Sequence, residues 1–123
     1  MDPLHISATA KTPEINFTSD GIFAITGNSY PEDVNKFYAP INTWVEAFLK
    51  TNTTTVNLNI SLDYISTSSI KVLLSLITFI KSQSKSETKV TWLHEIDDED
   101  SLATGKDLQS LSEVQFNFLV RES

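Results

Sequence analysis

Residues 56 to 63 alternate without a break: Val56, Leu58, Ile60 and Leu62 are interleaved with Asn57, Asn59, Ser61 and Asp63. Side chains in a strand point to opposite faces with a period of two, so this segment reads as a strand with a buried and a polar side. The period then changes. After Ser66-Thr67-Ser68-Ser69, apolar residues recur at Ile70, Leu73, Leu74, Ile77 and Ile80, the spacing of an amphipathic helix. A further strand follows at Val90-Thr91-Trp92-Leu93, after a Ser- and Lys-rich loop from Ser82 to Lys89. The helix is long enough to cross over, so the flanking strands should pair in parallel through a right-handed connection.

The remaining elements follow from period and punctuation. Ile15 and Phe17, the turn signal Thr18-Ser19-Asp20-Gly21 and then Ile22 to Ile25 predict a hairpin. Pro31 fits a first helical position, with Glu32 and Asp33 in the first turn. Val34, Phe37, Tyr38, Ile41, Trp44, Val45, Phe48 and Leu49 then form one helical face, with Pro40 predicting a kink or two abutting helices. The acidic run opens a short helix with Leu102, Leu108 and Leu111 expected inward, and Phe116 to Val120 is the last strand. The expected fold class is α/β: helices on a mixed sheet in the order β-β-α-β-α-β-α-β, as one domain over residues 1–123.

Charge narrows the partners. Sixteen acidic residues against nine basic ones leave a formal charge of −7. Seven carboxylates, offset only by Lys106, lie between Glu95 and Glu113. Arg121 is the only arginine and no basic stripe exists, which disfavours nucleic-acid binding. The acidic run reads either as a solvated helix start facing the positive end of the helix dipole or as a docking surface for a basic partner. No cysteine is present, which removes disulfides, thiolate nucleophiles and Cys-based metal sites. The start, Met1-Asp2-Pro3-Leu4-His5, shows no secretory signal, and no apolar stretch approaches the roughly 20 residues needed to span a bilayer. A cytoplasmic protein with no membrane contact is the expectation.

An active site is hard to assemble. The two histidines are His5 and His94. His94 with Glu95, Asp97, Asp98 and Asp100 matches neither a calcium loop nor a helical His-x-x-x-His pair, so no metal is expected. Three unclustered glycines leave no phosphate-cradling loop and no expected cofactor. The surviving catalytic alternative is a small hydrolase using His94 and a nearby carboxylate.

Chemistry and topology meet at Ser66, Thr67, Ser68 and Ser69, where the strand hands over to the helix. One of Ser66, Thr67 or Ser68 would serve as an N-cap, its oxygen accepting from a backbone N–H two or three positions on. Four consecutive hydroxyl residues exceed what a cap requires. A helix start also favours an anion, so a phosphate added there would be tolerated by the fold.

The octet Tyr64-Ile65-Ser66-Thr67-Ser68-Ser69-Ile70-Lys71 resembles the Tyr-Leu-Asn-Thr-Ser-Ser-Ile-Lys signature of the SiaC-type bacterial regulatory phosphoproteins. The likeness extends to Ala8-Thr9 with Thr12-Pro13-Glu14-Ile15, to Gly27-Asn28-Ser29-Tyr30-Pro31-Glu32, to Tyr38 through Trp44 and to Trp92 followed by Asp97-Asp98-Glu99-Asp100. It covers nearly the whole chain. Two departures are Ser66, where the family often has Asn, and a Lys81 to Lys89 loop rich in Ser and Lys rather than Gly.

The resemblance implies a STAS-like fold, like that of anti-sigma-factor antagonists, and a non-enzymatic role. It implies that Thr67 is phosphorylated by a serine/threonine kinase with an ATPase-like fold and dephosphorylated by a PP2C-type phosphatase. The unphosphorylated form would bind and activate a diguanylate cyclase, raising cyclic-di-GMP and promoting biofilm or aggregation. The expected partner-binding residues are Ser66, Thr67, Ser68, Ser69 and Lys71. An anti-sigma-factor antagonist with a transcriptional partner is the alternative binding module, although the Asp63 to Ile70 segment lacks the Asp-Ser-Ser-Gly pattern often seen in that class.

Overall fold

The computed structural model describes residues 1–121. The elements are β1 (Leu4–Ile6), β2 (Glu14–Phe17), β3 (Ile22–Ser29), α1 (Val34–Thr51), β4 (Val56–Ile65), α2 (Thr67–Gln83), β5 (Thr88–His94), α3 (Glu99–Ser112) and β6 (Phe116–Val120). All six strands form one mixed sheet in the order β1-β2-β3-β4-β5-β6. The β1–β2 and β2–β3 pairs are antiparallel, and β3 to β6 pair in parallel. Each parallel step is bridged by one helix. Helix α2 packs on both α1 and α3, so a single helical layer covers one face of the sheet.

That layer explains the alternation in β4. Val56, Leu58, Ile60 and Leu62 are buried under the helices, while Asn57, Asn59 and Ser61 lie half-buried on the opposite face. Each fully buried aliphatic side chain of this kind contributes about 1.5–3 kcal/mol. The face of α1 is continued by aromatic packing: Phe17 stacks on Phe23 at 4.5 Å between ring centroids, and Trp44 stacks on Phe48 at 5.3 Å. The hairpin turns at Gly21, whose φ of +89° favours glycine and whose missing Cβ would stand 2.6 Å from the Thr55 carbonyl oxygen.

Four expectations need correction. The order contains one strand more than predicted, β1, whose three residues are too few to show a period and are held by pairing with β2. Helix α1 begins at Val34 rather than Pro31, because the Asp33 side chain caps it by accepting from the Lys36 N–H at 3.1 Å. Pro40 neither ends nor divides α1, which runs unbroken from Val34 to Thr51; Pro40 and Lys36 are exposed, so water can serve the carbonyl that proline leaves unpaired. Leu111 is 67% exposed, because the buried stripe of α3 runs through Gly105, Leu108 and Ser112. Among the described residues, no helix is long and apolar enough to cross a membrane.

Candidate functional site

Strand β4 ends at Ile65 and α2 begins at Thr67, leaving Ser66 as the sole connector. Ser66 is extended, with φ −74° and ψ 159°, as an N-cap must be. Its Oγ accepts from the Ser69 N–H at 3.2 Å, and its own N–H donates to the Ser29 carbonyl at 2.8 Å. The helix start is thereby tied to the end of β3. Just before it the β3–β4 register shifts: Gly27 pairs with Leu62 and Asn28 with Tyr64, so Asp63 bulges out without a partner on β3.

The four hydroxyls of the run have different surroundings. Thr67 and Ser68 are exposed, and no hydrogen bond within the described residues engages either side chain. Ser66 is half-buried. Ser69 is fully buried, and its Oγ accepts from Ser66 Oγ at 3.1 Å and from Ser29 Oγ at 2.8 Å. Ser29 in turn bonds the Tyr38 hydroxyl at 2.7 Å. Burial pushes the Tyr38 phenol up to about 12, against the smaller opposing effect of its Ser29 bond. The expectation that all of Ser66, Thr67, Ser68, Ser69 and Lys71 face a partner is therefore corrected at Ser69, which points into the core. Lys71 is exposed one turn beyond Thr67.

Two neighbouring features escaped sequence reasoning. Tyr30 and Tyr64 meet edge to face at 5.1 Å and, with Asn28, line an open hollow of ≈ 380 Å³. Tyr64 is 57% exposed, an aromatic left at the surface close to the hydroxyl run. Its position inside the quoted octet was the available signal. The second is a clasp made by Arg121, which pairs with Asp63 at 2.7 Å, lies 3.5 Å from Glu95 and donates to Ser61 Oγ at 3.2 Å. Its backbone N–H reaches the His94 carbonyl at 2.7 Å. A lone arginine in an acidic chain was the clue.

The remaining candidates serve the fold. Asp98 caps α3 by accepting from the Ser101 N–H at 3.0 Å, and Glu99 and Asp100 occupy the first turn, where carboxylates meet the positive end of the helix dipole. His94 is buried, with Nδ1 2.9 Å from the Glu95 carbonyl oxygen, and forms no ion pair among the described residues. No group of three or more His, Cys, Asp or Glu among the described residues could hold a metal ion.

A sequence model of the SiaC family of regulatory phosphoproteins matches residues 6–121. The chain belongs to that family. It is a regulatory protein and not a catalyst, which removes the hydrolase alternative built on His94. The fold agrees with solved relatives from Pseudomonas aeruginosa. Apo-SiaC is 26% identical, with a TM-score of 0.79 over 99% of this chain and 100% of that one. SiaC crystallised as the activator in complex with the diguanylate cyclase SiaD is 25% identical, with a TM-score of 0.88 over 96% of this chain and 99% of that one. An uncharacterised protein of P. aeruginosa strain UCBPP-PA14 is 33% identical over 82 residues, which is 66% of this chain. The match spans 65% of that relative, just under two thirds of its length.

Proposed function

We propose that the chain, acting as one domain over residues 1–123, is a binding protein switched by phosphorylation of Thr67. The unphosphorylated form binds and activates a diguanylate cyclase, and so controls cyclic-di-GMP and biofilm or aggregation. The observation that carries this reading is the exposed, unengaged Thr67 hydroxyl in the first turn of α2, in a chain of a phosphoprotein family. The complex of P. aeruginosa SiaC with SiaD supports the choice of partner. The partner surface on this reading is Thr67, Ser68 and Lys71, with Ser66 and Ser69 shaping it from below. The modifying enzymes are a serine/threonine kinase with an ATPase-like fold and a PP2C-type phosphatase, the resident compartment is the cytoplasm, and no cofactor takes part.

The physical mechanism is a local charge event. Phosphorylation adds about −1.5 to −2 charges and three acceptor oxygens. Where the first turn of α2 presents small hydroxyls to a partner, burying that dianion without a facing cation costs several kcal/mol, enough to release the partner. The fold need not change, because the positive end of the α2 dipole accommodates the phosphate. No observation favours a transcriptional partner.

Two measurements test the reading. Phosphosite mapping after co-expression with the kinase should place the phosphate on Thr67 and lose it in Thr67→Ala. Recovery of the cyclase should be strong with unmodified protein and weak with the phosphorylated form. Equal recovery from both would refute the switch.

A further inference from the structure

The buried hydroxyls beneath Thr67 form a chain whose protons can be counted. Each hydroxyl owns one proton and two lone pairs. Ser29 donates to Ser69 Oγ at 2.8 Å, so the proton in its 2.7 Å contact with Tyr38 belongs to Tyr38. Ser66 also donates to Ser69 Oγ, at 3.1 Å, which fills both Ser69 lone pairs. The single Ser66 proton is thus committed inward, and one of its own lone pairs is taken by the Ser69 N–H at 3.2 Å. Thr67 and Ser68 carry no such commitments.

Phosphoryl transfer makes the opposite demand on an acceptor. Its oxygen must bond to the γ-phosphorus of a nucleoside triphosphate while the bond to the departing diphosphate breaks, and its proton must pass to a base on the kinase. We propose that Ser69 is a specificity-determining residue. By holding the Ser66 proton in a half-buried bond, it disfavours phosphorylation of Ser66 and directs the modification to the free hydroxyls Thr67 and Ser68. Ser29 and Tyr38 secure Ser69 from the other side, through a contact that spans 40 residues of sequence. The inference rests on the reading that a kinase modifies this hydroxyl run.

The test compares phosphosite distributions after co-expression of the full chain and its variants with the serine/threonine kinase. Wild type should carry only a minor share of its phosphate on Ser66. Ser69→Ala frees the Ser66 proton, and the share of phosphate on Ser66 should rise at least about fivefold, the factor that one ordinary hydrogen bond supplies. Ser69→Cys, whose thiol is a weak acceptor and keeps the site filled, should act in the same direction; it decides the matter if Ser69→Ala fails to fold. Tyr38→Phe damages the same buried network but leaves the Ser66–Ser69 bond, so the Ser66 share should stay at the wild-type level. An unchanged distribution in folded Ser69 variants would overturn the proposal, as would an equal rise in Tyr38→Phe, which would mark a merely structural loosening. Wild type that acquires no phosphate between Ser66 and Ser69 would instead overturn the underlying reading, an outcome distinct from the other two.

Discussion

Gly105 of α3 lies against the indole of Trp92 in β5 so closely that a Cβ at position 105 would stand 2.8 Å from Trp92 Cδ1 and 2.9 Å from Phe118 Cε1. The ring is held from its polar edge as well, since Trp92 Nε1 donates to the Ser101 carbonyl at 3.1 Å. Exchanging a mid-helix glycine for alanine ordinarily gains up to about 1 kcal/mol. Here overpacking against two aromatic rings should dominate, with a net loss of about 1–3 kcal/mol in Gly105→Ala. Urea unfolding should show a lower midpoint; a higher one would mean that α3 lifts off the sheet at little cost.

Ser66 and Thr67 should separate cleanly in stability measurements. Ser66→Ala removes the N-cap acceptor of α2 and should cost about 1 kcal/mol. Thr67 is exposed and its side chain makes no hydrogen bond among the described residues, so Thr67→Ala should stay within about 0.5 kcal/mol of wild type. Chemical denaturation of the two variants side by side checks this. A large loss in Thr67→Ala would show that the residue serves the fold.

Tyr38 makes alkaline stability informative. Its folded pKa of about 12 lies above the unfolded value of 10.0, so the folded state holds the proton more tightly. The stability this supplies is complete below pH 10 and is lost as pH rises from 10 towards 12. Over that window wild type should lose more stability than Tyr38→Phe. At neutral pH, Tyr38→Phe should be less stable by about 1 kcal/mol, because Ser29 loses its donor.

The Arg121 clasp predicts a salt-sensitive contribution. Its partners Asp63 and Glu95 are half to two-thirds exposed, so Arg121→Ala should cost only about 1 kcal/mol, and less at high salt. Arg121→Lys should recover part of it at best, because one ammonium cannot reproduce a planar fork that reaches Ser61, Asp63 and Glu95 together. Unfolding at low and high ionic strength would check both statements.

Much of the fold was legible because its elements bury one side each. Val56 to Leu62 could only alternate, and Val34 to Leu49 could only recur by three and four, if a single face met the core. The turn at Thr18 to Gly21 and the strand Phe116 to Val120 were readable from punctuation and apolar content. Strand β1 was not, since Leu4 and Ile6 gain their order from β2 and not from a local pattern. Nor was the start of α1, where Asp33 read as a first-turn residue after Pro31 and only its hydrogen bond from the Lys36 N–H makes it the cap.

The chain's own pattern of apolar and polar residues determined the layered α/β plan and the placing of a hydroxyl run where a strand becomes a helix. It could do so because periodicity is a local property written into consecutive residues. Only the tertiary structure decided what each hydroxyl can do. Four adjacent residues of similar chemistry become a cap, two free surface groups and a buried acceptor solely through what lies beneath them, and those groups, Ser29 and Tyr38, arrive from β3 and α1.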